Sequence, residues 1–227
     1  MSEKKAVIFD LDGTLLDRDR SITSFIKRQY AKFSHHFLHI SEEQFQQTFI
    51  SLDQRGCVWK DLVYQTMLDN YGLTSIRWEE LLADYMQSFH EHCLPFDDLD
   101  TVLKKLREEG YVLGLITNGL TDFQSKNMKA LGIDALMDVI LISEKEGIKK
   151  PDPAIFHRAL HLLDISPGQS IYVGDHPVND IKGALDAEMK AIWKKDPGWD
   201  PTFSHDTVIE ILTELPPAAE KLLKRKW

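Results

Sequence analysis

Cysteine is nearly absent from this chain. Cys57 and Cys93 stand far apart, which supplies no disulfide framework and no thiolate metal pattern. No apolar signal segment opens the sequence, and no stretch approaches the ~20 apolar residues of a membrane span. An excess of basic charge is also lacking. The balance of 27 Lys and Arg against 36 Asp and Glu gives a net −9, with no basic patch, and this disfavours nucleic acid or an anionic membrane surface as a partner. Together these absences point to a reducing cytoplasm with free thiols. They leave room for a small phosphate ester held by local charges. With 43% hydrophobic and 28% charged residues in 227 positions, the chain can bury a full core, and its length suits one domain with a large insertion, or two. Oligomeric state is not legible.

What is present begins at Ala6-Val7-Ile8-Phe9-Asp10-Leu11-Asp12-Gly13-Thr14. Four apolar residues run into two acids spaced i, i+2 and a Gly-Thr, the pattern of a buried strand ending in a polar turn. Alternate residues of an extended chain project to one side, so Asp10 and Asp12 share a site unless the backbone bends between them. Paired carboxylates suit a cation site, or a nucleophile and its acid partner. Asp12-Gly13 between apolar runs reads equally well as a hairpin turn.

Residues 17–94 have a different period. Ile22, Phe25, Ile26, Tyr30 and Phe33 recur at helical spacing, as do Phe45, Phe49 and Leu52 after the capping-box sequence Ser41-Glu42-Glu43-Gln44. Trp59, Val63, Met67 and Tyr71, flanked by Leu62, form a third stripe, and Leu81, Leu82, Tyr85 and Phe89 a fourth. Four amphipathic helices without a strand between them predict an inserted four-helix bundle.

From Pro95 strands and helices alternate. Strands are expected at 111–116, 138–142, 170–173 and 190–193, with a short edge strand at 207–209. Helices are expected at Leu99–Leu106, at about 120–131, after Asp152-Pro153, at about 178–187, and in the tail from Pro217, where Lys221, Lys224, Arg225 and Lys226 suit a helix C-terminus. Such alternation predicts an α/β fold, a doubly wound parallel sheet of Rossmann-like type, formed by 1–16 and 95–227 around the helical insertion. Three more polar clusters follow apolar runs: Thr117-Asn118-Gly119, Lys149-Lys150-Pro151-Asp152-Pro153, and Gly174-Asp175 through Asp180. If the strand ends meet at one sheet edge, Asp10, Asp12, Thr117, Asn118, Lys150, Asp175 and Asp180 converge there. Asp10, Asp12 and Asp175 then form an all-oxygen set suited to Mg²⁺. A carboxylate and a phosphate charge ~4 Å apart repel by about 4 kcal/mol at an effective dielectric near 20, so an anionic nucleophile attacking an anionic ester needs such a cation.

The ordered set of four clusters resembles the haloacid dehalogenase-like hydrolase superfamily, over Val7 to about Asp180. That resemblance implies Asp10 as the nucleophile forming an aspartyl-phosphate and Asp12 as general acid and base. It implies Thr117 and the amide of Asn118 as phosphate-binding groups, with Lys150, which directly precedes the proline, as the catalytic and phosphate-binding lysine that helps cancel the charge, and Lys149 as its fallback. Asp175 would bind metal directly, with Asp180 supporting Lys150 or a metal water. His176 departs from the small polar residue expected there and reads as a solvated helix-entry histidine. An acid at Asp12 favours phosphoryl transfer over dehalogenation, and the insertion resembles the helical cap of small-metabolite phosphatases. Arg55, in Asp53-Gln54-Arg55-Gly56 between two cap helices, is the candidate contact to a polar or anionic substrate group. The triplet His35, His36 and His39 has no carboxylate or Cys to complete a metal set. A sugar-phosphate mutase of the β-phosphoglucomutase type would use the same first strand, and a phosphoacceptor receiver module would gather similar residues without turnover.

Overall fold

An uninterrupted apolar strand needs cover on both faces, and Ala6, Val7, Ile8 and Phe9 have it, each at 0% exposure. The computed structural model describes residues 4–224, so the basic end expected at Arg225 and Lys226 lies outside the described residues. In chain order the elements are β1 (Lys5–Phe9), α1 (Arg18–Phe33), α2 (Glu42–Asp53), α3 (Lys60–Tyr71), α4 (Trp78–Ser88), α5 (Leu99–Glu108), β2 (Tyr111–Thr117), α6 (Thr121–Ala130) and β3 (Val139–Ile142). They continue with α7 (Ser143–Glu146), α8 (Pro153–Leu163), β4 (Ser170–Gly174), α9 (Gly183–Asp186), β5 (Lys190–Lys194), β6 (Thr207–Ile209) and α10 (Leu215–Lys224). Two compact units result. One runs to Asp17 and resumes at Leu94, and the other is Arg18–Cys93.

The first unit is a six-stranded sheet in the order β3-β2-β1-β4-β5-β6, every pair parallel. Since β1 lies between β2 and β4, both parallel to it, the hairpin reading of Asp12-Gly13 is ruled out. Apolar residues of α8 and α9 (Ile155, Phe156, Leu160, Ala184) cover one face through Ile8, Ile116, Tyr172 and Ala191. On the other, α5 packs against β2, and α10 against α5 and β6. The strand order reverses between β1 and β4, which opens a crevice at their carboxyl ends. One expected helix differs. Instead of starting regularly at Val178, the chain makes a wide π-type turn over Pro177–Lys182 before the single turn of α9, because Asp180 turns back toward the sheet.

The second unit is helical. Ser41 and Gln44 form the expected reciprocal cap at the start of α2, and Phe25 packs edge-on against Tyr85 with ring centroids 5.3 Å apart. Trp59 does not join its predicted stripe. It sits just before α3 and is 70% exposed, and Leu62 is 56% exposed. One group of buried polar side chains is closely interlinked. Gln29 donates to Leu81 O (3.0 Å) and Asp84 Oδ2 (3.1 Å) and accepts from the Tyr64 hydroxyl (2.8 Å). Asp84 also takes Arg28 Nη1 (2.6 and 2.7 Å) and Lys32 Nζ (2.5 Å).

Burial raises the Asp84 pKa, but the hydrogen bonds from Lys32, Arg28 and Gln29 outweigh it and hold the group below its ordinary value. A depressed carboxylate contributes its full stability above the unfolded-chain pKa, near 4, and loses it as pH falls toward the folded value. Arg28 and Lys32 are partly exposed, which screens the pairs. Asp84→Asn is therefore expected to lower stability by about 2 kcal/mol at pH 7 in a urea titration. The gap between variant and parent should shrink below about pH 4.

Candidate active site

The crevice at the β1–β4 boundary is lined by groups that four separate loops bring together. At its centre the Lys150 Nζ donates to Asp10 Oδ1 (2.5 Å), Asp180 Oδ1 (2.6 Å) and the Tyr172 hydroxyl (2.9 Å). All three ammonium hydrogens are thereby used on a residue 3% exposed. Asp10 follows β1 directly, and its N–H donates to Val173 O at 2.9 Å, so the strand end itself aims the carboxylate. Tyr172 lies on β4, and its hydroxyl donates to Ile116 O at 3.2 Å. Asn118, just beyond β2, holds the Lys150 backbone. Its Nδ2 donates to Lys150 O (3.0 Å), and its Oδ1 accepts from Lys150 N (2.9 Å). The Asn118 side chain is thus spent on the lysine, which leaves its backbone amide, the group expected at the phosphate.

Asp10, Asp175 and Asp180 each offer a carboxylate oxygen within 4.8 Å of the others. Asp12, expected among the metal ligands, stands apart from this trio. The backbone turns immediately after β1, and the Asp12 Oδ2 accepts from Gln124 Nε2 at 2.7 Å. Asp180 has both oxygens engaged, Oδ1 with Lys150 and Oδ2 with the His176 N–H at 3.0 Å. It therefore supports the lysine more than it offers a ligand.

Two glycines make the convergence possible. Gly13 has φ +84°, a conformation that disfavours side chains, and a Cβ there would lie 2.8 Å from Asp175 Cγ. A Cβ on Gly174 would lie 2.4 Å from Asp180 Cβ.

His176 takes over the cap that a small polar residue would make. Its Nδ1 accepts from Val178 N (3.1 Å) and Asn179 N (3.2 Å), and its ring packs on Trp199 at 4.6 Å between centroids. It is a helix-entry residue as expected, but half-buried rather than solvated. Burial, then Lys150, depresses its pKa.

Two participants escaped the sequence reading, Tyr172 and Gln124. Gln124 is 3% exposed, and its Nε2 reaches Thr117 Oγ1 (2.7 Å) and Asn118 O (3.3 Å) besides Asp12. Asn127 fixes its other end at 3.0 Å. Two amides on the buried side of α6, and a phenol inside an otherwise apolar strand, were the signals available. Arg55 belongs to the helical unit. It has φ +60° in the turn after α2, next to Gly56, whose N–H donates to Asp53 Oδ2 (2.9 Å), with its Nη1 3.9 Å from Asp19.

The electrostatics favour a cation. Burial pushes Asp10 up to about 7; Lys150 opposes this, and Asp180 and Asp12 add to it. Burial, then Asp180 and Asp10, raises Asp175 well above the carboxylate range. Three buried acids share one buried ammonium, so the oxygen set suits a hard divalent ion. Within the described residues no helix is long and apolar enough to cross a membrane.

Residues 7–194 match the profile of the haloacid dehalogenase-like hydrolase family. The chain is 31% identical to the N-acylneuraminate-9-phosphatase of Mus musculus over 239 residues, covering 95% of this chain and 94% of that one. It superposes on a HAD phosphatase from Thermococcus onnurineus with TM-score 0.67 and 30% identity, covering 94% and 97%. YfnB from Bacillus subtilis, whose structure has magnesium bound, shares the fold at TM-score 0.77 and 21% identity, covering 96% and 99%.

Close approach at Gly174 yields a direct test. Gly174→Ala should displace Asp180 from Lys150 and lower stability by about 2–3 kcal/mol in a denaturant titration. An alanine tolerated there with parental stability would contradict the packing described.

Proposed function

Because the chain belongs to the haloacid dehalogenase-like hydrolase family, we propose that it hydrolyses a small phosphate monoester through an aspartyl-phosphate on Asp10. The observation that carries this reading is the meeting of Asp10, Asp175 and Asp180 around Lys150. An oxygen of the Asp10 carboxylate attacks phosphorus while the bond to the ester oxygen breaks, and Asp12 gives that oxygen its proton. Water then attacks the acyl phosphate and returns a proton to Asp12, which frees inorganic phosphate and regenerates Asp10.

Gln124 is the positioning residue for this exchange. It donates to Asp12 and to Thr117 Oγ1, which holds the acid in place and leaves the Thr117 hydroxyl hydrogen for a phosphoryl oxygen. The Asn118 amide is the partner donor, and Lys150 keeps Asp10 oriented while offsetting negative charge. Asp10 and Asp175 would hold Mg²⁺, with Asp12 and Asp180 beside them. When bound, such an ion neutralises the charge that otherwise keeps carboxylate and ester apart. The helical unit is proposed as the cap that selects the substrate, with Arg55 as its contact to a polar or anionic group. Small phosphorylated metabolites are the proposed substrate class.

Phosphate release from 4-nitrophenyl phosphate should require Mg²⁺ and vanish in Asp10→Asn. Turnover surviving that substitution would remove Asp10 as nucleophile. Free phosphate should accumulate, not an isomerised sugar phosphate or a stable phosphoprotein. Arg55→Ala should raise KM for the natural substrate by about tenfold, the loss of one charged hydrogen bond. A panel of sugar phosphates, nucleotides and phosphorylated acids identifies that substrate, and unchanged kinetics across the panel would exclude Arg55.

A further inference from the structure

Lys150 is not the only buried amine at this sheet edge. Lys194 closes β5 at 4% exposure, yet no hydrogen bond or ion pair with the described residues engages its ammonium, which rests 3.3 Å above the centroid of the Phe96 ring. An ammonium with so little water around it ordinarily finds acceptors in the protein, since an unmet N–H costs desolvation; the Lys194 Nζ instead keeps a small solvent-facing surface. A ring face satisfies part of that demand and leaves the hydrogens unbonded. Asp175, Asp196 and Asp17 are close enough to raise its pKa, but burial prevails and lowers it.

Its position is on the catalytic edge. Gly174 pairs with Trp193, which sets Lys194 across from Asp175 on the neighbouring strand. Phe96, the ring beneath the ammonium, donates its N–H to Leu15 O at 3.0 Å, just beyond the Gly13 turn. With strands about 4.8 Å apart, two spacings place the Lys194 backbone about 10 Å from that of Asp10, the reach of an ester a few carbons long. The order β2-β1-β4-β5 puts Thr117 and Lys194 on opposite flanks of Asp10. Phosphoryl-binding groups thus gather on one flank, while an amine lacking acceptors waits on the other. Lys150, with its three donors used, does not serve a second anion.

We propose that Lys194 is a specificity-determining residue whose ammonium donates to a carboxylate on the leaving-group side of the phosphate ester, so that the preferred substrates are small phosphorylated acids. This inference rests on the phosphatase reading of the same site.

The test compares matched esters that differ at the far carbon: 3-phosphoglycerate against glycerol 3-phosphate, and O-phosphoserine against O-phosphoethanolamine. The parent should favour the carboxylated member of each pair by kcat/KM. In K194M that preference ratio should fall by about tenfold, chiefly through KM, while K194R should retain part of it. K194Q replaces K194M if the latter does not fold. A lysine acting only through the field at Asp175, or only in packing, would change both members alike, and an unchanged ratio overturns the proposal. So does a parent that cleaves 4-nitrophenyl phosphate but shows no preference within the pairs. A parent that releases no phosphate from any of these esters overturns the phosphatase reading itself.

Discussion

The site depends on one buried ammonium having all its acceptors. Lys150 binds Asp10, Asp180 and Tyr172 at once, and in doing so it joins the end of β1, the strand β4 and the turn that follows it. Withdrawing these charges from water is costly, and the cost is offset only when geometry is good and no donor is wasted. The structure meets both conditions, since Asn118 also clamps the lysine backbone through two hydrogen bonds. Losing one partner of such a group leaves the other charge stranded, an effect on the order of 3–5 kcal/mol.

Around that lysine the balance of charge is uneven. Asp10, Asp175 and Asp180 crowd together where solvent does not screen them, and burial drives Asp10 and Asp175 toward their protonated forms. Only a glycine at position 13 and another at 174 permit the approach. A crowded acid trio of this kind is expensive in an empty chain and favourable around a hard cation. The second buried amine, Lys194, makes the opposite contrast, because it has an aromatic face where Lys150 has carboxylates.

The helical unit uses its buried polar groups differently. Gln29, Tyr64 and Asp84 satisfy one another and their neighbours, which specifies how the helices pack. Asp53, 2% exposed, does the same for the turn after α2: it takes Arg18 at 2.6 Å and the Gly56 N–H at 2.9 Å and pairs with Lys60. The turn that presents Arg55 is therefore pinned from beneath.

Local pattern alone determined much of this protein. Unbroken apolar runs located the strands, 3.6-residue spacing the helices, and short local motifs the Ser41 to Gln44 cap and the acids at the end of β1, because those signals need only residues a few positions apart. The ordered clusters at Asp10, Thr117, Lys150 and Asp175 were legible for a similar reason, since each directly follows or adjoins an apolar run. Tertiary structure alone decided who touches whom. Gln124 reaches Asp12 from 112 positions away; Tyr172 reads as one more core aromatic until Lys150 arrives; the wide turn at Pro177–Lys182 exists because Asp180 bends back to that lysine; and Lys194 looks like any strand-end lysine until the sheet sets it beside Asp175. Periodicity encodes which side of an element is buried, whereas the partner of a buried polar atom is fixed by strand order and register, which no local spacing contains.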